Sequence, residues 1–148
     1  MNVYALHVGR REGGEGSGAA LVPLFLLDLP GYGYARASRT ERAGFRRLIA
    51  RVLERPRLAG AVWLLDIRHE PSADDRAMHA LFAARGTRVL AALTKADKLP
   101  RGRRLERERA LGAALGLDGD QVIATSARRG DGIAELREAI AALAAARR

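Results

Sequence analysis

The sequence predicts a three-layer α/β domain on a mostly parallel sheet with one antiparallel strand at its edge. Strand-like apolar runs alternate with amphipathic, helix-length stretches from residue 21 to the C-terminal region, the order that places helices on both faces of a sheet. Two of the runs, 61–67 and 87–93, are continuously apolar, as in parallel strands covered on both sides. The chain also opens with two short strand-like stretches separated by a glycine-rich segment, which reads as a hairpin and supplies the antiparallel strand.

Residues 2–8 alternate as a half-buried strand, with Val3, Ala5 and His7 on one side and Tyr4, Leu6 and Val8 on the other. Residues 9–20 are glycine-rich and charged, a hairpin tip, and 21–27 form the second strand, with Pro23 near its start where a missing N–H is tolerated. Ser38 or Thr40 caps a helix running to about Arg55, with Phe45, Leu48, Ile49, Val52 and Leu53 as its apolar stripe and Pro56 as its stop. After the strand at 61–67, Pro71 and Ser72 open a helix that turns Ala77, Met78, Leu81 and Phe82 inward and ends at Gly86. The strand at 87–93 leads into Thr94. A basic helix spans about 101–116 with a weaker stripe at Leu105, Leu111 and Leu115. The last strand is 121–125; a loop at 126–132 precedes a final helix carrying Ile133, Leu136, Ile140 and Leu143. No repeat or second domain breaks this order, so residues 1–148 read as one domain.

The composition narrows the classes. A hydrophobic content of 48% over 148 residues suits a globular core. No apolar run approaches the roughly 20 residues of a membrane span, and the N-terminus lacks the sections of a signal peptide. With no cysteine, disulfides and thiolate metal sites are excluded; the expectation is a cytoplasmic protein. His7, His69 and His79 lack metal-site spacing, and Trp63, inside an apolar strand, reads as core. The net charge of +9 favours a polyanionic partner, most simply RNA; no membrane or DNA partner is expected. All but two of the 26 basic residues, Lys95 and Lys98, are arginine, so part of that excess is compositional bias. The densest basic cluster is Arg101, Arg103 and Arg104, either a solvated helix start or a contact for RNA phosphates.

Three stretches follow strands, where ligands of such sheets bind. Asp28-Leu29-Pro30-Gly31 fits D-x-x-G. Such a turn offers a carboxylate to a metal, usually through water, and a glycine N–H to a phosphate oxygen; an aspartate capping an ordinary turn produces the same pattern. Thr94-Lys95-Ala96-Asp97 fits [NT]-K-x-D. A carboxylate there accepts from N1–H and the exocyclic amine of guanine, the lysine stem covers the base, and the threonine hydroxyl braces the loop. Asp97 as a plain helix N-cap is the competing reading. Thr125-Ser126-Ala127 fits a third base-contacting loop, in which a small residue lets a backbone N–H reach guanine O6 and the serine steadies the neighbouring loop. Order and spacing raise the three together above any one alone.

On these residues the chain resembles the EngB family of bacterial ribosome-assembly GTPases. Asp28-Leu-Pro-Gly-Tyr-Gly-Tyr-Ala35, Asp66-Ile-Arg-His-Glu-Pro71 followed by Asp75 and Met78, and Thr94-Lys-Ala-Asp-Lys-Leu99 look like that family's segments, and the likeness runs over nearly the whole chain. It implies a P-loop GTPase-like (Ras-like) fold, binding of GTP or GDP with Mg2+ held through water by Asp28, a role in maturing the large ribosomal subunit through rRNA contact, and a link to cell division and septation.

The chain departs from that pattern at its start. No G-x-x-x-x-G-K-[ST] occurs in it, so the first strand, the P-loop and the first helix of the family fold are expected to be missing from an incomplete G domain. Met1 then reads as an internal methionine of a longer protein. The P-loop amides and lysine cradle the phosphates and its hydroxyl binds the metal; Tyr32, not glutamine, follows Gly31. GTP is therefore expected to bind feebly and to be hydrolysed negligibly, leaving enzyme status open. The missing strand belongs between the strands at 21–27 and 61–67, so these either close up or the sheet keeps a gap. The alternative functions are a nucleotide-independent pseudo-GTPase binding RNA or ribosome through its basic surface, with Tyr32 and Tyr34 stacking on bases, and a non-functional fragment.

Overall fold

The computed structural model describes residues 1–10, 20–31 and 39–146. Its order is β1 (Asn2–Arg10), β2 (Ala20–Asp28), α1 (Arg39–Leu53), β3 (Ala61–Asp66), α2 (Ala73–Ala84), β4 (Val89–Thr94), α3 (Arg101–Leu115), β5 (Val122–Ala124) and α4 (Ile133–Ala145). The expected α/β alternation is present. β1 and β2 pair antiparallel from Asn2 opposite Asp28 to Arg10 opposite Ala20, a longer hairpin than the apolar pattern alone marks. β3, β4 and β5 form a parallel sheet in that order, with Asp66 opposite Thr94 and Leu93 opposite Ala124.

Among the described residues these are two sheets, and β2 does not pair with β3. The sheet thus keeps a gap where the resemblance puts a further strand. α4 bridges it by packing against β1, β2 and β4. Arg88 fastens the bridge: its Nη2 donates to the carbonyls of Ala59, 2.8 Å, and Leu143, 3.0 Å. Gly60 permits the approach, since a Cβ there would stand 2.8 Å from both the Arg88 oxygen and Leu143 Cδ2.

One face of the parallel sheet carries the main core. Trp63, Leu65, Ala91, Leu93 and Val122 pack with Ile49 of α1, Met78 and Phe82 of α2, and Leu111 and Leu115 of α3. Trp63 lies edge-on to Phe82, ring centroids 5.6 Å apart, and stacks on His79 at 6.2 Å; it is core, as its strand position implies. On the other face Leu90, Ala92 and Ile123 are buried.

Several expectations of burial fail. The run at 61–67 is not covered on both sides: Leu64, on the strand at the edge of its sheet among the described residues, is 64% exposed. Leu105 is 55% exposed rather than part of the α3 stripe, which reduces to Leu111 and Leu115, and Ala77 faces outward. On the hairpin Phe25 is 75% exposed, and Val3, Tyr4, Leu6 and Leu26 are exposed as well.

Helix boundaries follow local chemistry. Ser72 caps α2: its Oγ accepts from the Asp75 N–H at 3.1 Å, while Asp75 accepts from the Ser72 N–H at 2.7 Å. Gly116 ends α3 in the left-handed region at φ 61°. α1 begins at Arg39, so Thr40 lies inside it; Ser38 and the tyrosines at 32 and 34 fall outside the described residues.

Candidate functional site

The C-terminal ends of β4 and β5 bring two of the three sequence stretches together. Past Thr94, the chain enters Lys95 in the left-handed region, φ 63° and ψ 30°, and then a short 3-10 turn, Ala96–Lys98. Among the described residues Lys95 alone, apart from glycine, has a positive φ. A side chain disfavours that conformation, and it persists where the surroundings hold it. Here the Ala96 N–H donates to the Thr125 carbonyl at 3.0 Å, tying the loop after β4 to the end of β5. Thr94 Oγ1 donates to the Leu65 carbonyl at 3.0 Å and fastens β4 to β3 at the same level.

Across this junction Ser126 Oγ donates to Asp97 Oδ1 at 2.8 Å. Ser126 is fully buried and otherwise well held. Its N–H donates to the Asp131 carbonyl at 2.9 Å, its carbonyl accepts from the Gly130 N–H at 2.8 Å, and its Oγ accepts from the Arg129 N–H at 3.2 Å. The bond from Ser126 is the main reason the Asp97 carboxyl sits below its ordinary pKa; burial opposes it, and Lys98 and Arg128 add smaller pulls. Asp97 is therefore an oriented, ionised acceptor, as reading two adjacent donors requires. Ala127 follows with its small side chain exposed.

A second cluster adjoins the first. Asp66, at the end of β3, lies opposite Thr94 in register. Its Oδ1 accepts from Arg68 N–H at 3.1 Å and Nε at 2.9 Å; its Oδ2 accepts from Arg68 Nη2 at 2.7 Å and pairs with Lys95 Nζ at 2.9 Å. The Arg68 fork, more than Lys95, holds the Asp66 carboxyl far below the usual carboxylate range against the opposing effect of burial. Asp66 in turn raises the Arg68 pKa.

α3 buttresses both clusters. Arg104 donates through Nε to the Leu99 carbonyl at 3.2 Å and through Nη1 to Asp131 Oδ2 at 3.0 Å, fixing the turn that receives the Ser126 N–H. Arg107 Nε donates to the Ile67 carbonyl at 2.9 Å, and its Nη1 pairs with Glu70. Glu108 Oε1 accepts from the Ala124 N–H at 2.9 Å.

The third stretch stands apart, on the other sheet. Asp28 ends β2, exposed, and accepts from Asn2 Nδ2 at 3.4 Å. Leu29 turns into the core, while Pro30 and Gly31 are exposed. The described residues contain no cluster of three or more metal-binding side chains. Asp28 by itself does not make a Mg2+ site, which ordinarily draws on one or two carboxylates, waters and substrate phosphates.

No protein-family model matches the chain. Curated proteins do. It is 46% identical over 121 residues to "Probable GTP-binding protein EngB" of Gemmatimonas aurantiaca, covering 81% of this chain and 59% of that protein. To the protein of the same name from Syntrophomonas wolfei it is 42% identical over 120 residues, 80% of this chain and 62% of the relative. To that of Lacticaseibacillus casei it is 43% identical over 111 residues, 74% and 56%. The chain belongs to the EngB family. It spans about three-fifths of the length of these curated relatives, and its α/β architecture accords with a G domain of this family.

Within this EngB-type fold, Thr94, Lys95, Ala96, Asp97, Thr125, Ser126 and Ala127 converge on one rim, and Asp28 to Gly31 do not join them through any bond among the described residues. Arg104, expected with Arg101 and Arg103 at a solvated helix start or in an RNA contact, is mostly buried and bonded to Leu99 and Asp131, while Arg101 and Arg103 are exposed. Arg107 is likewise engaged with Ile67 and Glu70. The reading from sequence also passed over Asp66 as a partner of Lys95. The available signal was a carboxylate ending the strand next to the one that carries Lys95.

Proposed function

We propose that this chain carries the base-recognition half of a guanine-nucleotide site. Asp97 accepts from N1–H and the 2-amino group of guanine. Adenine presents an acceptor at N1 and lacks the 2-amino group, so it leaves the carboxylate unmatched, the kind of defect that makes discrimination large. The stem of Lys95 covers one face of the base, and the N–H of Ala127 reaches O6. The Ser126–Asp97 bond carries the reading, because it aims the acceptor before any ligand arrives. The family relatives named GTP-binding proteins support it.

Asp28 and Gly31 belong to the phosphate side of this site, with Asp28 serving Mg2+ through water. When bound, the ion would neutralise phosphate charge; the chain's own contribution there is one carboxylate and one glycine N–H. No sequence of the type G-x-x-x-x-G-K-[ST] occurs in the 148 residues, so the chain as it stands binds GTP weakly and hydrolyses it negligibly. The wider role proposed, by resemblance, is in assembly of the large ribosomal subunit and in cell division in the cytoplasm. Among the described residues no helix is long and apolar enough to cross a membrane.

Calorimetry with GDP and with ATP tests the reading. Binding of GDP but not ATP supports it. No binding of either, together with salt-sensitive RNA affinity, replaces it with nucleotide-independent RNA binding through the basic surface.

A further inference from the structure

We infer that Asp66 is a positioning residue: its carboxylate fixes Lys95 across the ends of β3 and β4, setting the lysine stem in place before a base arrives. This rests on the guanine-site reading above and extends it to a residue on a third strand. The carboxylate receives four bonds, three from Arg68 and one from Lys95. Arg68 grips it with a backbone N–H and a two-pronged guanidinium, so its direction is set independently of the lysine. Lys95 then meets a rigid acceptor rather than a mobile one.

Three observations favour positioning over a plain surface ion pair. The Asp66 side chain is 19% exposed and held chiefly by Arg68, whereas the Lys95 side chain is 55% exposed; a link so open at the lysine end adds little to stability by itself, so the Lys95 bond is poorly accounted for as a staple of the fold. Lys95 holds a left-handed backbone that its side chain disfavours, so its direction is imposed. The loop is bound on both sides, to β3 through Thr94 Oγ1 and to β5 through the Ala96 N–H, which leaves the lysine side chain as the element still needing an anchor. A charged side chain of four rotatable bonds otherwise loses rotamer freedom at each binding event.

The chain's two lysines supply an internal reference. Asp66→Asn keeps the shape and removes the charge. Limited amine acylation followed by mass spectrometry reads the modification rate of Lys95 relative to Lys98. The expected result is a rise in that ratio of roughly two- to fivefold in Asp66→Asn, the range for losing an exposed ion pair; an unchanged ratio overturns the inference. If Asp66→Asn does not fold, Arg68→Gln, which loosens the grip on the carboxylate, is expected to raise the same ratio.

Calorimetry with GDP gives the functional arm. Asp66→Asn is expected to weaken binding about three- to tenfold, the scale of re-immobilising one long side chain. It should have no further effect in a Lys95→Met background. Additive losses in the double variant overturn positioning through Lys95. Absence of guanine binding by the unaltered chain overturns the site reading itself, and the role of Asp66 with it. GDP binding with an unchanged labelling ratio overturns the positioning role alone.

Discussion

Replacing Gly132 by alanine tests whether the turn before α4 packs closely against the end of β5. Gly132 has φ 69° and is the N-cap of α4. A Cβ there would fall inside contact distance of the Ala124 carbonyl oxygen, with the carbonyl carbon at 3.2 Å and Thr125 Cα at 3.4 Å. These are backbone atoms of β5 and its exit, so no side chain can swing aside. The strand cannot retreat freely, because the Ala124 N–H is held by Glu108 and the Thr125 N–H by the Leu93 carbonyl. The left-handed conformation costs alanine about 1 kcal/mol, and forcing an extra carbon into a packed backbone adds about 1–3 kcal/mol. The sum, about 2–4 kcal/mol, is a large fraction of a domain's usual 5–15 kcal/mol, roughly stated. Gly130 is the control: its φ is 77°, but nothing lies within 4 Å of a Cβ there, so Gly130→Ala should carry only the conformational cost of about 1 kcal/mol. Urea unfolding of both variants reads the difference as a shift in midpoint. If Gly132→Ala is no more destabilising than Gly130→Ala, the close packing of the turn against β5 is refuted.

Other substitutions address the site and the core. Asp97→Asn exchanges a double acceptor for one acceptor and one donor; with hydrogen bonds to charged groups worth about 1.5–3 kcal/mol each, GDP affinity should fall about 100-fold, and xanthine nucleotides, with a carbonyl at position 2, should gain, as calorimetry with both would show. Asp66 and Asp97 both have folded pKa values depressed below the ordinary one. Their contribution to stability is therefore present above the unfolded value of about 4 and is lost as pH falls below it. Urea midpoints should drop on acidification below about pH 4, and less steeply in Asp66→Asn. Phe25→Ser, at a position 75% exposed, should change unfolding stability by no more than about 0.5 kcal/mol. Leu93→Ala, at a position with no exposed surface, should lose about 2–5 kcal/mol.

Much of the architecture is legible in the chain because it is encoded locally. Alternation marks β1 and β2, the continuous run at 87–93 marks a buried strand, Pro71 with Ser72 marks a helix start, and Gly86 a helix end. Each depends on residues a few positions apart. The site motifs are legible for the same reason: T-K-x-D and T-S-A name side chains whose chemistry is recognisable without coordinates. Burial is less readable. Leu64 and Leu105 sit in patterns indistinguishable from buried ones, and whether they are covered depends on what packs above them.

By itself, then, the sequence determined the α/β class and the order of elements, and it singled out Lys95, Asp97, Ser126 and Ala127 as the residues of the proposed base site, since residue type and short-range periodicity carry that information. Only the tertiary structure decided that the sheet is, among the described residues, in two parts joined by α4, that Ser126 aims Asp97, that Asp66 takes hold of Lys95, and that Arg104 and Arg107 are bound to Asp131 and Ile67. Each of those contacts joins residues 27 to 40 positions apart, and the split of the sheet is a matter of which edges meet. Such pairings follow from how the whole chain packs, which no local pattern records.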